Sequence, residues 1–110
     1  MGAMRIPDDI TNPVVRTAIT ALQAGDKAKW LSLFAQNAVL LDDGRPRNFL
    51  RFSEEALGHE LFRSIDQIRD QGLEIEGQFH SDTWGNFRTY FRFTLDDSNK
   101  IGQLEIGQAS

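Results

Sequence analysis

Apolar and polar residues change rhythm about halfway along the chain. In the first half Val15, Ala18, Ile19 and Leu22 recur at i, i+3, i+4 and i+7, the stripe of a helix packed on one side. Thr11 or Asn12 can cap it, Pro13 suits its first turn and Gly25 ends it. Asp26 then caps a second helix directly, with Trp30, Leu33 and Phe34 on one face and Lys27 and Lys29 outside. Ala38-Val39-Leu40-Leu41 lies between Gln36-Asn37 and Asp42-Asp43-Gly44 and reads as a short buried strand. Pro46 and three arginines make 45–52 a loop, and Ser53 followed by Glu54 and Glu55 starts a third helix over 54–61.

From Phe62 onward the period is two. Phe62 to Arg69 reads as a strand ending at the Asp70-Gln71-Gly72 turn, although Ile65 and Ile68 also suit a helix. Leu73, Ile75, Gly77 and Phe79 alternate with Glu74, Glu76, Gln78 and His80. Phe87, Thr89, Phe91 and Phe93 alternate with Arg88, Tyr90, Arg92 and Thr94, and the two strands are joined by a turn over 82–86. A turn at 96–99 and a strand over 101–107 complete the pattern. Helix, helix, strand, helix and four further strands predict an α+β domain: about five strands in a mostly antiparallel sheet, with three helices covering one face. The face carrying Phe79, Phe87, Phe91 and Phe93 should pack on Trp30, Leu33 and Phe34, leaving the polar stripe outside. A turn centred near Trp84 would set His80 opposite Arg88, Gln78 opposite Tyr90 and Glu76 opposite Arg92.

Composition narrows the function more than the fold. Twelve Lys or Arg against sixteen Asp or Glu leave a net charge of −4, and no broad basic face is available for a phosphate backbone. Arg45, Arg47 and Arg51 interleave with Phe49 and Phe52, but a loop closing over a cavity suits so short a cluster better than nucleic acid does. Zero cysteines removes disulfides, thiolate nucleophiles and zinc–thiolate sites. The longest uncharged run, Trp30 to Leu41, is 12 residues, against the ~20 of a membrane span. With no secretory h-region near Met1, the cytoplasm is the expected compartment. Residues 1–10 read as a leader ahead of a single domain over 11–110. No P-loop, dinucleotide fingerprint or nucleophile elbow appears, so no cofactor is expected, and His59 and His80 show no metal-ligand spacing.

The opening Ala21-Leu22-Gln23-Ala24-Gly25-Asp26, then Trp30, Leu33-Phe34-Ala35 and Ala38-Val39-Leu40 leading into Asp42-Asp43-Gly44, resembles the nuclear transport factor 2-like superfamily and within it the SnoaL-like group. The closing strand Lys100-Ile101-Gly102-Gln103-Leu104-Glu105-Ile106 is similar to the group's last strand. The resemblance covers roughly 12–108. It implies a cone-shaped, curved, cystatin-like sheet wrapped around the helices, with an apolar pocket at the open end and a homodimer through the outer sheet face. For function it implies a hydrophobic or aromatic small molecule, with cofactor-independent isomerase, cyclase or dehydratase chemistry, or else a non-catalytic ligand-binding or dimeric interaction module. Fold alone does not choose between them.

Four residues are candidates for proton chemistry. Asp42 ends the first strand where such a pocket opens, and a carboxylate held among apolar groups can exchange a proton near neutrality. Asp-Asp-Gly is equally an ordinary turn. His80 lies two residues from Asp82, on the same side of a strand, so Asp82 can orient its imidazole as in the His–Asp pairs of some dehydratases of the superfamily. Against this, His80 shares a face with Glu74, Glu76 and Gln78, as surface residues do. Tyr90 and Arg88 could stabilise an enolate-like oxygen, or simply pair across the strands. Trp30, Phe34, Phe79 and Phe91 are the expected ligand-contacting aromatics, and core packing explains each of them as well.

Overall fold

The computed structural model describes residues 5–109. Helix α1 (Pro13–Ala24) is capped by Asn12, whose side chain accepts from the Val14 and Val15 amides, and it buries Val15, Ala18, Ile19, Ala21 and Leu22. Gly25 ends it at φ 71°, a left-handed conformation that only glycine adopts without steric cost. Asp26 caps α2 (Lys27–Ser32), which buries Trp30. There follow β1 (Phe34–Asp42), β2 (Arg45–Arg47), α3 (Phe49–Ala56), β3 (Glu60–Phe62), β4 (Gln67–Arg69), β5 (Glu74–Ser81), β6 (Gly85–Leu95) and β7 (Ile101–Gln108).

The strands form one seven-stranded sheet in the order β2-β1-β7-β6-β5-β3, with β4 also paired to β5. Only β1 against β7 is parallel. The α+β architecture expected from the sequence is therefore present, with the open sheet curved around the helices. Phe62, Ile75, Phe79, Phe91, Phe93, Leu104 and Ile106 point inward and meet Val15, Ile19, Leu22 and Trp30 from the helices in one buried cluster. Fully burying each large apolar side chain is worth roughly 1.5–3 kcal/mol, so the alternation of β5 and β6 decides which face is inside. No helix of the described residues is long and apolar enough to cross a membrane.

Several boundaries differ from the sequence reading. The second helix stops at Ser32, and Phe34 already belongs to β1. Phe34 pairs with Ile101, and the Ile101 amide donates to the Leu33 carbonyl, so a ladder distant in sequence overrides local periodicity. The third helix starts at Phe49, capped by Asn48 instead of Ser53. Ser53 lies inside it, its hydroxyl donating to the Phe49 carbonyl and accepting from the buried Trp30 Nε1 at 3.0 Å. The expected loop over 45–52 is thus strand β2 followed by the first turn of α3. The expected strand over 62–69 divides into β3 and β4, both on β5, because the chain bends away between them. At that bend the Ser64 carbonyl and Ile65 lie over Gly77, where no Cβ would fit.

The β5–β6 hairpin is closed by Asp82-Thr83-Trp84, with Gly85 at φ 81° and the Ser81 hydroxyl accepting from the Thr83 and Trp84 amides. His80 therefore faces Asn86, Gln78 faces Arg88, Glu76 faces Tyr90 and Glu74 faces Arg92. This is two residues from the expected register. A shift of two preserves which side chains face in, so the inward and outward sets stand. Residues 1–4 lie outside the description, but the end of the expected leader is packed. Ile10 is fully buried and Arg16 Nη1 donates to the Pro7 carbonyl at 2.7 Å.

Candidate functional site

A cavity of about 430 Å³ opens on the inward side of the sheet, within the range of small-molecule sites. Its floor and one wall are the inward residues of β5, β6 and β7: Phe79, Phe87, Thr89, Phe91 and Ile106. Trp84, at the hairpin tip, stands at the mouth and is 74% exposed. The opposite rim comes from β1, β2, α3 and β3 and supplies Asp42, Arg47, Phe52 and Glu60.

Asp42 reaches this rim because it shares the inward side of β1 with the buried Leu40, two residues earlier. Asp43 and Gly44, at φ 51° and 82°, form the two-residue loop to β2 that Asp-Gly sequences favour, since both central positions need positive φ. Across that hairpin Arg47 pairs with Leu40, which turns its side chain to the same side. Its Nη1 donates to Asp42 Oδ2 at 2.8 Å and its Nη2 to Glu55 Oε1 at 3.2 Å, while the guanidinium lies 5.0 Å over the Phe52 ring. Arg47 is thus held by three partners in a half-exposed setting, two of them through charge-assisted hydrogen bonds.

Glu60 enters the rim from the opposite side. In β3 it pairs with Ser81 and shares its inward side with the buried Phe62. The Ser81 hydroxyl donates to Glu60 Oε2 at 2.9 Å. Burial pushes the Glu60 carboxyl above its usual range; the Ser81 hydrogen bond and the Arg47 charge pull it back, while Glu55 and Asp82 push it up again. A half-buried carboxyl at a cavity mouth with a raised pKa is a candidate proton carrier. The sequence reading missed it. The available signal was the i, i+2 relation of Glu60 to Phe62, obscured because the strand was begun at Phe62.

Of the residues proposed from sequence, the structure brings Asp42, Phe79 and Phe91 to the cavity. Trp30 lies deeper, fully buried and bonded to Ser53, and Phe34 packs between Trp30 and Phe49 beside a separate surface groove. His80, Arg88 and Tyr90 occupy the outer side of the sheet. There Arg88 bridges Asp66 at 2.7 Å and Glu76 at 3.2 Å, Arg92 bridges Glu74 and Glu105, and the Tyr90 hydroxyl donates to Glu105 at 3.4 Å. His80 is held as the spacing suggested, its Nε2 3.0 Å from Asp82 Oδ1 and its Nδ1 2.8 Å from Asn86 Oδ1. First the Asn86 bond and then Asp82 raise its pKa, which is what a surface imidazolium clamp requires. His59 Nδ1 approaches the other Asp82 oxygen at 3.3 Å. Among the described residues no group of three His, Asp or Glu side chains converges as a metal site would need.

No known family model matches the sequence, and no curated protein does either. Solved structures do match. The orange carotenoid protein of Anabaena (Nostoc) sp., in its canthaxanthin-binding form, superposes at TM-score 0.68 with 22% identity over 86% of this chain, which spans 35% of that protein's length. A candidate polyketide cyclase from Sinorhizobium meliloti gives 0.68 at 20% identity over 96% of this chain and 99% of that one. An NTF2-like protein of unknown function from Cytophaga hutchinsonii gives 0.71 at 12% identity over 96% and 93%. At these identities the likeness establishes the fold: the chain has the NTF2-like, cystatin-like α+β fold.

Proposed function

We propose that this chain binds a small hydrophobic or aromatic metabolite in the mouth cavity, and that Glu60 and Asp42 carry its acid–base chemistry. The observation that carries the reading is the meeting, in one cavity of about 430 Å³, of an aromatic wall with a carboxyl whose pKa burial raises. Phe79, Phe87 and Phe91 supply the apolar contact that binds the body of a ligand. Glu60 exchanges a proton with the ligand, and Asp42, fixed by Arg47, stands opposite as a placed anion. Isomerisation, dehydration and cyclisation of a carbonyl compound all need such a proton shuttle and no cofactor. The kinship in fold to a carotenoid-binding protein and to candidate polyketide cyclases agrees with an apolar ligand.

The outward placement of His80, Arg88 and Tyr90 favours a second reading, a non-catalytic binding module. In that reading the cavity binds without turning over, and the outer sheet face, with its alternating Arg and Glu, is the contact between two copies. A thermal-shift screen with aromatic and polyketide-like compounds tests the shared core of both. A ligand at about 100 times its Kd stabilises by roughly 2.7 kcal/mol, and a screen without any stabilising compound overturns the cavity reading. Turnover unchanged in both Glu60→Gln and Asp42→Asn would remove the acid–base assignment and leave the binder. Light scattering of the purified chain reads the dimer, and a monomer at high concentration refutes it.

A further inference from the structure

The charge of the mouth selects among hydrophobic ligands. Among the described residues two carboxylates reach the cavity, Asp42 and Glu60, against the single guanidinium of Arg47; Asp43 also borders it, but its Oδ1 accepts from the Gln108 amide beside Tyr90 on the outer side. That guanidinium is already paired with Asp42 and Glu55, whose two negative charges outweigh its one, and its face lies over Phe52. The carboxylates are less fully used. Asp42 bonds Arg47 through Oδ2 and Glu60 bonds Ser81 through Oε2, and among the described residues neither second oxygen accepts a hydrogen bond. These oxygens suit a ligand that brings donors, and Trp84 and Phe87 in the same lining add aromatic rings, a residue type that attracts cations.

Resting on the cavity reading above, we propose that the ligand is an amine: an ammonium group carried on an aromatic or apolar body, with the ammonium between Asp42 and Glu60 and the body on Phe79, Phe87 and Phe91. Two of its three N–H donors match the two free oxygens, and the positive charge offsets the surplus of carboxylates. A carboxylic acid of the same body meets like charge from Asp42 and Glu60, and the one guanidinium in the lining is already paired with carboxylates. The groups facing Glu60 are Arg47, Glu55, Asp82 and the Ser81 hydroxyl, so acids outnumber bases around it as well.

Three probes of one shape test this by calorimetry at low salt: naphthylethylamine, naphthylethanol and naphthylacetate. The amine should bind about tenfold or more tighter than naphthylacetate, a difference of roughly 1.4 kcal/mol, with the neutral alcohol between them. Acidification from about pH 7 should weaken the amine and leave the alcohol unchanged, because Glu60, whose pKa burial raises, takes up a proton and loses its charge. Glu60→Gln should narrow the gap between amine and acid. If that variant fails to fold, the three-probe ranking and the pH profile of the wild-type chain still decide. Naphthylacetate binding as tightly as the amine, or amine affinity that rises on acidification, overturns the inference while alcohol binding keeps the cavity reading. No binding by any of the three overturns both.

Discussion

Replacing Ser53 by alanine tests how the helices hold the cavity rim. Trp30 is fully buried in α2, and its indole Nε1 donates to the Ser53 hydroxyl in α3 at 3.0 Å. Ser53 is itself only 1% exposed, so water has no ready path to the indole once the hydroxyl is gone. A buried donor left without a partner costs about 1–3 kcal/mol. For a chain of this length that corresponds to a melting temperature lowered by about 4–12 °C, at about 4 °C per kcal/mol. Trp30→Phe removes the donor and leaves Ser53 satisfied by the Phe49 carbonyl, so its cost is one of lost ring volume, about 1–3 kcal/mol. If the hydrogen bond is the link, the double variant is less unstable than the sum of the singles by about 1 kcal/mol. Urea unfolding followed by circular dichroism measures all four proteins, with an unchanged m-value required for the comparison. Additive effects, or Ser53→Ala within about 0.5 kcal/mol of wild type, would refute the reasoning. Because Phe52 adjoins Ser53 and lines the cavity, the loosened variant should also bind any cavity ligand more weakly.

Glu60→Gln should stabilise the chain near neutrality. The raised pKa means that the folded state prefers the protonated acid, so wild-type stability is lost as pH rises through that value and recovered as pH falls below about 4.3. The melting-temperature advantage of the variant should therefore shrink towards acid, and an advantage growing towards acid contradicts the assignment. Gly77→Ala should destabilise by about 1–3 kcal/mol or more, because a Cβ there would collide with the Ser64 carbonyl; denaturant unfolding reads this, and a neutral result would mean that the bend between β3 and β4 is free to move. In an NMR titration the His80 ring should titrate above 6.5, and Asn86→Ala and Asp82→Asn should each lower it. A His80 titration unaffected by either change would break the clamp described at the hairpin tip.

Helix α1 was legible because every device in it is local. Asn12, Pro13, the four-residue stripe and Gly25 lie within one stretch of chain, and the observed cap and left-handed end use those same residues. The inward set of β5 and β6 was legible for a related reason: alternation reports the face, and burial of Phe79, Phe91 and Phe93 follows from it. The exact pairing was not, since the turn chemistry of Ser81 and Gly85 admits registers two residues apart without changing the pattern of faces. Helix α3 shows a different limit. Ser53 followed by two glutamates has the local form of a helix start, yet Ser53 is drawn inward by Trp30, a partner 23 residues away.

The candidate site divides in the same way. Asp42 could be picked out because an apolar strand ran straight into it, and that placed it near an opening. The arginine cluster holding Arg47 could be set near an opening too, but not its pairing with Asp42, and Glu60 could not be picked out at all, since nothing local says that β2 folds back on β1 or that β3 pairs with the end of β5. The sequence by itself determined the class of fold, the inward face of the long strands and the acidic, cysteine-free chemistry, because these depend on composition and on periods of two and 3.6 residues. Only the tertiary structure decided which polar groups share the mouth. It gathered Asp42, Arg47 and Glu60 from three strands, because a pKa or a cavity arises from what surrounds a residue in space, whereas alternation alone had set His80, Arg88 and Tyr90 on the outer face.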